Sequence, residues 1–281
     1  MMWLAGYPIA PGCGKFSGKF SGEFSRIMSF AHIALKTSNP LGARGHVAPP
    51  ASLSDFGGAP VPRPPLFPGG GMSQNRSSAV MQRRSEPHNS LDDFPTPPWA
   101  TRALCEWIAE RAKIFDESPS CFVVREPAAN RGHMVRPLME YFHAVEASDV
   151  HDYGVHLPVR DYLFGPLDQT AWTITNPPFR LAQQFIERAL DTSHRGVAML
   201  VRTSFLEGVT RHRELFTLSP PTDILQFTER VVMHRGKLVA KGSSATSYCW
   251  LVWDLSRGGE HPRLHWIAPC RRGLERPGDY P

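Results

Sequence analysis

The residues best placed to do chemistry are Asn176-Pro177-Pro178-Phe179, which follow a short apolar run at 171–175. Two consecutive prolines remove two backbone donors and fix φ at about −65°. Their peptide carbonyls are expected to face outward as unpaired acceptors, with the Asn176 side-chain oxygen adding another. Such a cluster suits a planar amine whose N–H bonds must be held while its nitrogen attacks a methyl carbon. Phe179 offers a flat face on which a base can stack, a contact of roughly 1–3 kcal/mol.

A second cluster lies upstream. Residues 121–124 read as a buried strand, and Arg125-Glu126-Pro127-Ala128-Ala129-Asn130-Arg131-Gly132 as the turn leading to a helix at 134–142. A tight turn after a parallel strand brings backbone N–H groups close to a ligand, and the following helix start favours polar or anionic groups. A further strand, 144–149, ends in Asp149, where an acid in nucleotide-binding α/β folds accepts hydrogen bonds from ribose hydroxyls. The pair implies a nucleoside-containing cofactor without choosing between a dinucleotide and S-adenosylmethionine, although the turn is not GxGxxG.

The elements that must position these residues alternate between strand and helix from Leu91 onward. Thr96-Pro97-Pro98 opens a helix at 99–111, with Thr96 as its N-cap. A third, weaker strand leads into Asp161-Tyr162-Leu163, and the run at 171–175 is the fourth. A helix spans 181–190, and strands follow at 197–201, 224–227 and 248–253. Three regions result: a low-complexity leader at 1–88 expected to be disordered, a folded domain at 89–256, and a loosely ordered Arg/Gly/Pro-rich tail at 257–281. The leader carries the repeat Lys15-Phe16-Ser17-Gly18-Lys19-Phe20-Ser21-Gly22 and proline and glycine clusters that sustain neither helix nor central strand.

Composition narrows the function classes. Of the 281 residues 41% are hydrophobic, enough for a sizeable core, yet no apolar run is long enough to span a membrane. The five cysteines show no CxxC spacing, so neither a metal site nor a disulfide framework is implied, and reduced thiols in a cytoplasmic protein are expected. The formal net charge of +5 is compatible with a polyanionic partner.

Taken together, Asn176 to Phe179, Glu126-Pro127 with Gly132, and Phe94-Pro95-Thr96-Pro97-Pro98-Trp99 resemble the N6-adenine (amino-group) DNA methyltransferases, particularly the compact phage and prophage type. The resemblance covers roughly 92–255. Asn130 departs from it, standing where the family usually has the first glycine of the loop; asparagine tolerates positive φ better than other side chains do. The resemblance implies a Rossmann-like class I methyltransferase fold: a seven-stranded, mostly parallel sheet with an antiparallel last strand, flanked by helices. It assigns S-adenosylmethionine contacts to Thr96, Pro97, Glu126, Pro127, Ala128, Gly132, Asp149 and Asp161, and catalysis to Asn176, Pro177, Pro178 and Phe179. DNA is the implied partner, with base flipping, no metal, and a monomer or weak dimer.

Arg202, Arg211, Arg230, Arg235, Lys237 and Lys241 are the candidate phosphate contacts, several of them in a glycine- and hydroxyl-rich stretch between two late strands. Other acceptors share the same chemistry: a protein glutamine or a guanine amino group in ribosomal RNA. A relative that binds DNA but has lost turnover is the non-enzymatic alternative.

Overall fold

A computed structural model describes residues 91–257 and 262–280. The expected leader at 1–88 lies outside the described residues. The first element, α1 (Pro98–Ile114), buries Trp99, Leu104 and Ile108 along one face. It is followed by β1 (Val123–Glu126), α2 (Val135–Met139), β2 (Ala144–Ala147), β3 (Thr170–Thr175), α3 (Ala182–Thr192) and β4 (Ser193–Arg202). Then come a short helix α4 (Val209–Arg211), which runs on into a π-helical segment (His212–Phe216), and β5 (Asp223–Phe227), β6 (Tyr248–Asp254), β7 (Arg263–Ile267) and α5 (Arg271–Leu274).

The strands form one seven-stranded sheet in the order β2-β1-β3-β4-β6-β5-β7. All neighbours run parallel except around β6, which is antiparallel to both β4 and β5. This is the Rossmann-like architecture expected from sequence, with Tyr248–Asp254 as the antiparallel strand. β3 and β6 are buried along their whole length; β6 reads as a near-continuous apolar run, while β3 alternates Ala171, Trp172 and Ile174 with buried threonines. Alternation sorts the core into two layers. Ala198, Leu200, Trp250 and Val252 pack with Trp99, Leu104 and Leu138 of α1 and α2. Val197, Met199, Leu251 and Trp253 pack with Ile186 and Ala189 of α3.

The sheet order reverses between β1 and β3: the chain moves outward from β1 to β2, then returns to the other side of β1. A crevice opens at the carboxyl ends of strands at such a reversal, and ligands bind there. Glu126 ends β1 and Thr175, just before Asn176, ends β3, so both sequence clusters arrive at this crevice.

Two expectations need correction. The strand leading into Asp161 does not form; this stretch contributes only an isolated bridge between Asp149 and Val159. Gly154, Pro158, Gly165 and Pro166 break the run too often for a ladder. The tail also holds structure. β7 pairs with β5, and Arg102 of α1 clasps the C-terminal segment beyond it, donating to Leu274 O at 2.8 Å and Asp279 Oδ2 at 2.7 Å while also bonding Glu140. The thiols of Cys105, Cys249 and Cys270 are free.

Gly196 of β4 lies opposite Trp172 of β3, and the indole fills the space a Cβ would need. Gly196→Ala should therefore overpack the sheet–helix layer by about 1–3 kcal/mol. At roughly 2–4 °C per kcal/mol for a domain of this size, calorimetry should show a lowered Tm. An unchanged Tm would mean that the ring has room to move.

Candidate active site

The chain leaves β3 at Asn176 because the next two residues cannot donate to a ladder. Pro178 O accepts from Leu181 N at 2.9 Å, so this carbonyl starts the turn into α3 and does not face outward as expected. Among the described residues no main-chain N–H bonds the Pro177 carbonyl. The Asn176 amide is held from one end. Its Nδ2 donates to Phe94 O and to Thr96 Oγ1, each at 3.0 Å. A main-chain carbonyl can only accept, so the amide orientation is fixed by its neighbours. The other end, Oδ1, is buried and has no partner among the described residues.

This assigns Thr96 a role other than the expected N-cap. Pro97 occupies that position without a side-chain bond, and Ala100 N bonds Pro97 O at 3.0 Å. Pro98 at N1 has no N–H to satisfy, which leaves the Thr96 hydroxyl free to brace Asn176.

The loop after β1 is tied down at several points. Glu126 is fully buried. Its Oε1 accepts from Ala128 N at 3.0 Å and from Thr175 Oγ1 at 2.6 Å, joining the loop to the end of β3. Asp149 Oδ2 accepts from Asn130 N at 2.8 Å, and its Oδ1 from His151 N at 2.9 Å. Asn130 sits at φ 51° and Gly132 at φ 78°, so asparagine supports the left-handed turn in place of glycine. Its side chain is taken up by Asp93, which accepts from Asn130 Nδ2 at 2.8 Å and from Arg131 Nη1 at 2.9 Å. Burial would raise the Asp93 carboxyl, but these bonds prevail and hold it below its ordinary value.

Between the two clusters lies a cavity of about 420 Å³. Of the predicted site residues, Thr96, Pro127, Ala128, Asp149, Asp161, Asn176 and Pro178 line it. Pro97, Glu126, Gly132, Pro177 and Phe179 stand behind or beside this wall. Asn130, noted in the sequence as the residue in place of the loop's first glycine, lines the cavity; sequence reasoning missed Tyr153, Tyr162 and Phe185, which also line it, and Asp93, which braces the loop. Phe94 was noted only as part of a motif; it lines the cavity and lies 5.3 Å from the Phe179 ring.

The predicted phosphate ligands are spread more widely. Arg202 stacks on Phe179, with Cζ 4.0 Å from the ring centroid. Arg211 bonds the carbonyls of Phe205, at 2.8 Å, and Glu207, so its guanidinium organises its own loop. Arg230 bonds Ser247 Oγ. Arg235, Lys237 and Lys241 are exposed in the same connection between β5 and β6.

Burial pushes the Glu126 carboxyl from its ordinary 4.5 up to about 8, with Asp149 adding to the rise and the Thr175 and Ala128 bonds opposing it. The folded state thus holds this proton more tightly than the unfolded chain does. The resulting stability is complete below about pH 4.5 and is lost as pH rises through about 8. The slope contributed by one proton reaches about 1.4 kcal/mol per pH unit between those values. Glu126→Gln keeps an oxygen for both donors and removes the proton. Urea midpoints from pH 5 to 9 should fall more steeply in the parent than in this variant; parallel profiles would refute the assignment.

No family model matches the sequence, and no curated protein matches it significantly. Solved structures do share its chain path. One from Listeria monocytogenes, provisionally described as a class I S-adenosylmethionine-dependent methyltransferase, is 11% identical, with 63% of this chain and 67% of that one covered at a TM-score of 0.49. The methyltransferase subunit of a type I restriction-modification system from Streptococcus thermophilus is 8% identical at a TM-score of 0.48, covering 67% of this chain. The chain spans about half the length of that subunit, 50%. At such scores the likeness is one of chain path, and the chemistry has to come from the residues of the crevice itself.

Proposed function

We propose that this protein transfers the methyl group of S-adenosylmethionine to the exocyclic N6 amino group of adenine in DNA, with the base turned out of the helix. The observation that carries this reading is the Asn176 amide. Its nitrogen is bonded to Phe94 and Thr96, and its oxygen is buried, oriented and free to accept. A buried acceptor without a donor costs about 1–3 kcal/mol, so the site is built for a donor that arrives from outside.

The cavity and its acceptors fit the cofactor. Cavities of this size hold nucleoside ligands. Asp149, at the carboxyl end of β2 with each oxygen holding only one main-chain donor, has lone pairs left for ribose hydroxyls. Asp161 and the 127–130 loop complete the polar side, and Tyr162 and Phe185 supply apolar wall. When bound, S-adenosylmethionine supplies an electrophilic methyl carbon on a sulfonium leaving group. The protein's own task is then positioning. Asn176 Oδ1 and the Pro177 carbonyl would each take an amine N–H, drawing the nitrogen lone pair out of conjugation with the ring. The nitrogen–methyl bond forms as the carbon–sulfur bond breaks, and one amine proton leaves to solvent. Turning the base out costs a few kcal/mol, which contacts to the base and backbone must offset.

Calorimetric titration with S-adenosylmethionine, followed by transfer of a labelled methyl group to unmodified DNA, tRNA, rRNA and protein, tests the proposal. Donor binding with label on DNA adenine is expected. Label on glutamine or on guanine in rRNA would reassign the acceptor. No binding at tens of micromolar donor would leave only the DNA-binding alternative.

A further inference from the structure

The face of Phe179 that a base would need is already taken. The Arg202 guanidinium lies over the ring with Cζ 4.0 Å from the centroid, which is stacking distance. A purine and a guanidinium are both flat, and they cannot share that space. The other rings beside Phe179 are Phe94 and Tyr248, at centroid distances of 5.3 and 6.3 Å, and both are core residues. Arg202, half-buried at the end of β4, is the neighbour that can leave. It is also imperfectly satisfied where it sits: its Nε is buried without a partner among the described residues. The stacking attraction is thus partly offset by a stranded donor, and the parked position is easily given up.

We propose that Arg202 is a placeholder for the acceptor base, stacked on Phe179 until the base displaces it and then transferred, charge included, to a backbone phosphate of the turned-out nucleotide. This rests on the DNA methyl-transfer reading and adds to it a coupling between base entry and phosphate capture. A strand that offers no base leaves Arg202 on the ring, and its charge is not used.

Salt dependence of binding reads this directly, because each phosphate neutralised adds a slope of ~0.7 in log K against log salt for a single strand. The probes are a short abasic deoxyribose-phosphate strand carrying one adenine and the same strand wholly abasic, so that both present equal numbers of phosphates. For the parent protein between 50 and 200 mM salt, the adenine strand should show the steeper slope by ~0.7, roughly a 2.5-fold greater loss of affinity over that range. In Arg202→Ala the two slopes should coincide at the shallower value. In Arg202→Lys, whose ammonium is not flat and stacks poorly, they should coincide at the steeper one.

Equal slopes for the parent protein, or a difference that survives in Arg202→Ala, would overturn the placeholder. Methyl transfer to the adenine strand, followed in the same samples, separates the two ideas. Transfer with equal slopes removes the placeholder alone. A slope difference without donor binding or transfer keeps the placeholder and removes the methyl-transfer reading.

Discussion

Asn176→Ala should bind S-adenosylmethionine within about threefold of the parent protein while losing roughly 10²–10³ in single-turnover methyl transfer, the usual effect of removing one preorganised group from a charge-developing centre. The separation follows from where the side chain reaches. Its amide touches Phe94, Thr96 and the sulfur of Met233, and it has no bond to the loop after β1 that is expected to hold the cofactor. The substitution strips the Phe94 carbonyl of a donor but also removes the unpartnered Oδ1, so the two effects on stability, each about 1–3 kcal/mol, oppose one another. Asn176→Asp separates the catalytic from the structural part. Aspartate keeps an acceptor oxygen for the amine but turns another toward the Phe94 carbonyl, where it repels. It should retain more activity than alanine while being at least as unstable. Turnover by Asn176→Ala close to that of the parent would remove the mechanism, whatever happened to stability.

Legibility in the sequence followed the physics of burial. β3 and β6 are covered on both faces; an apolar run announces β6, and β-branched and aromatic residues announce β3. The tetrapeptide at 176–179 was legible for a different reason: two prolines at a strand end fix the backbone whatever surrounds them. β7 was not legible. Its conspicuous residues Leu264 and Trp266 are 55% and 67% exposed, while the inward positions are held by His265 and Ile267, so the alternation points the wrong way. Arg102 shows the same limit. It reads as a surface residue of an amphipathic helix, but it is 2% exposed because Glu140 and Asp279 meet it from 38 and 177 residues away.

Thr96 and Asn130 mark the boundary between local and tertiary reasoning. From its neighbours Thr96 is a capping residue, and only the fold brings Asn176 to within 3.0 Å of its hydroxyl. Asn130 stands where the resemblance puts the loop's first glycine. Its φ of 51° shows the turn formed, and Asp93, which no motif predicts as its partner, takes up the side chain. Local chemistry placed both residues at the crevice; their hydrogen-bond partners came from segments 37 and 80 residues away in sequence.

The acid at the end of β2 carries the complementary prediction. Asp149→Ala should raise the dissociation constant for S-adenosylmethionine by roughly 10²–10³, since hydrogen bonds to a charged group contribute about 1.5–3 kcal/mol each. Two losses combine. Asn130 N and His151 N give up the carboxylate that holds them at 2.8 and 2.9 Å, which loosens the loop after β1 although Ala129 N still bonds Ser148 O, and the proposed ribose acceptor disappears with it. Asp149→Asn retains one good acceptor and should fall between alanine and the parent protein. Asp149 donates nothing to the Asn176 end of the crevice. With saturating donor, the alanine variant should therefore recover methyl transfer to within a few-fold, the reverse of the Asn176→Ala pattern. Calorimetry for binding and single-turnover kinetics over a donor series would report the two quantities separately. A dissociation constant changed by less than threefold would show that the cofactor does not lie against β2, and the orientation proposed for it in the crevice would have to be abandoned.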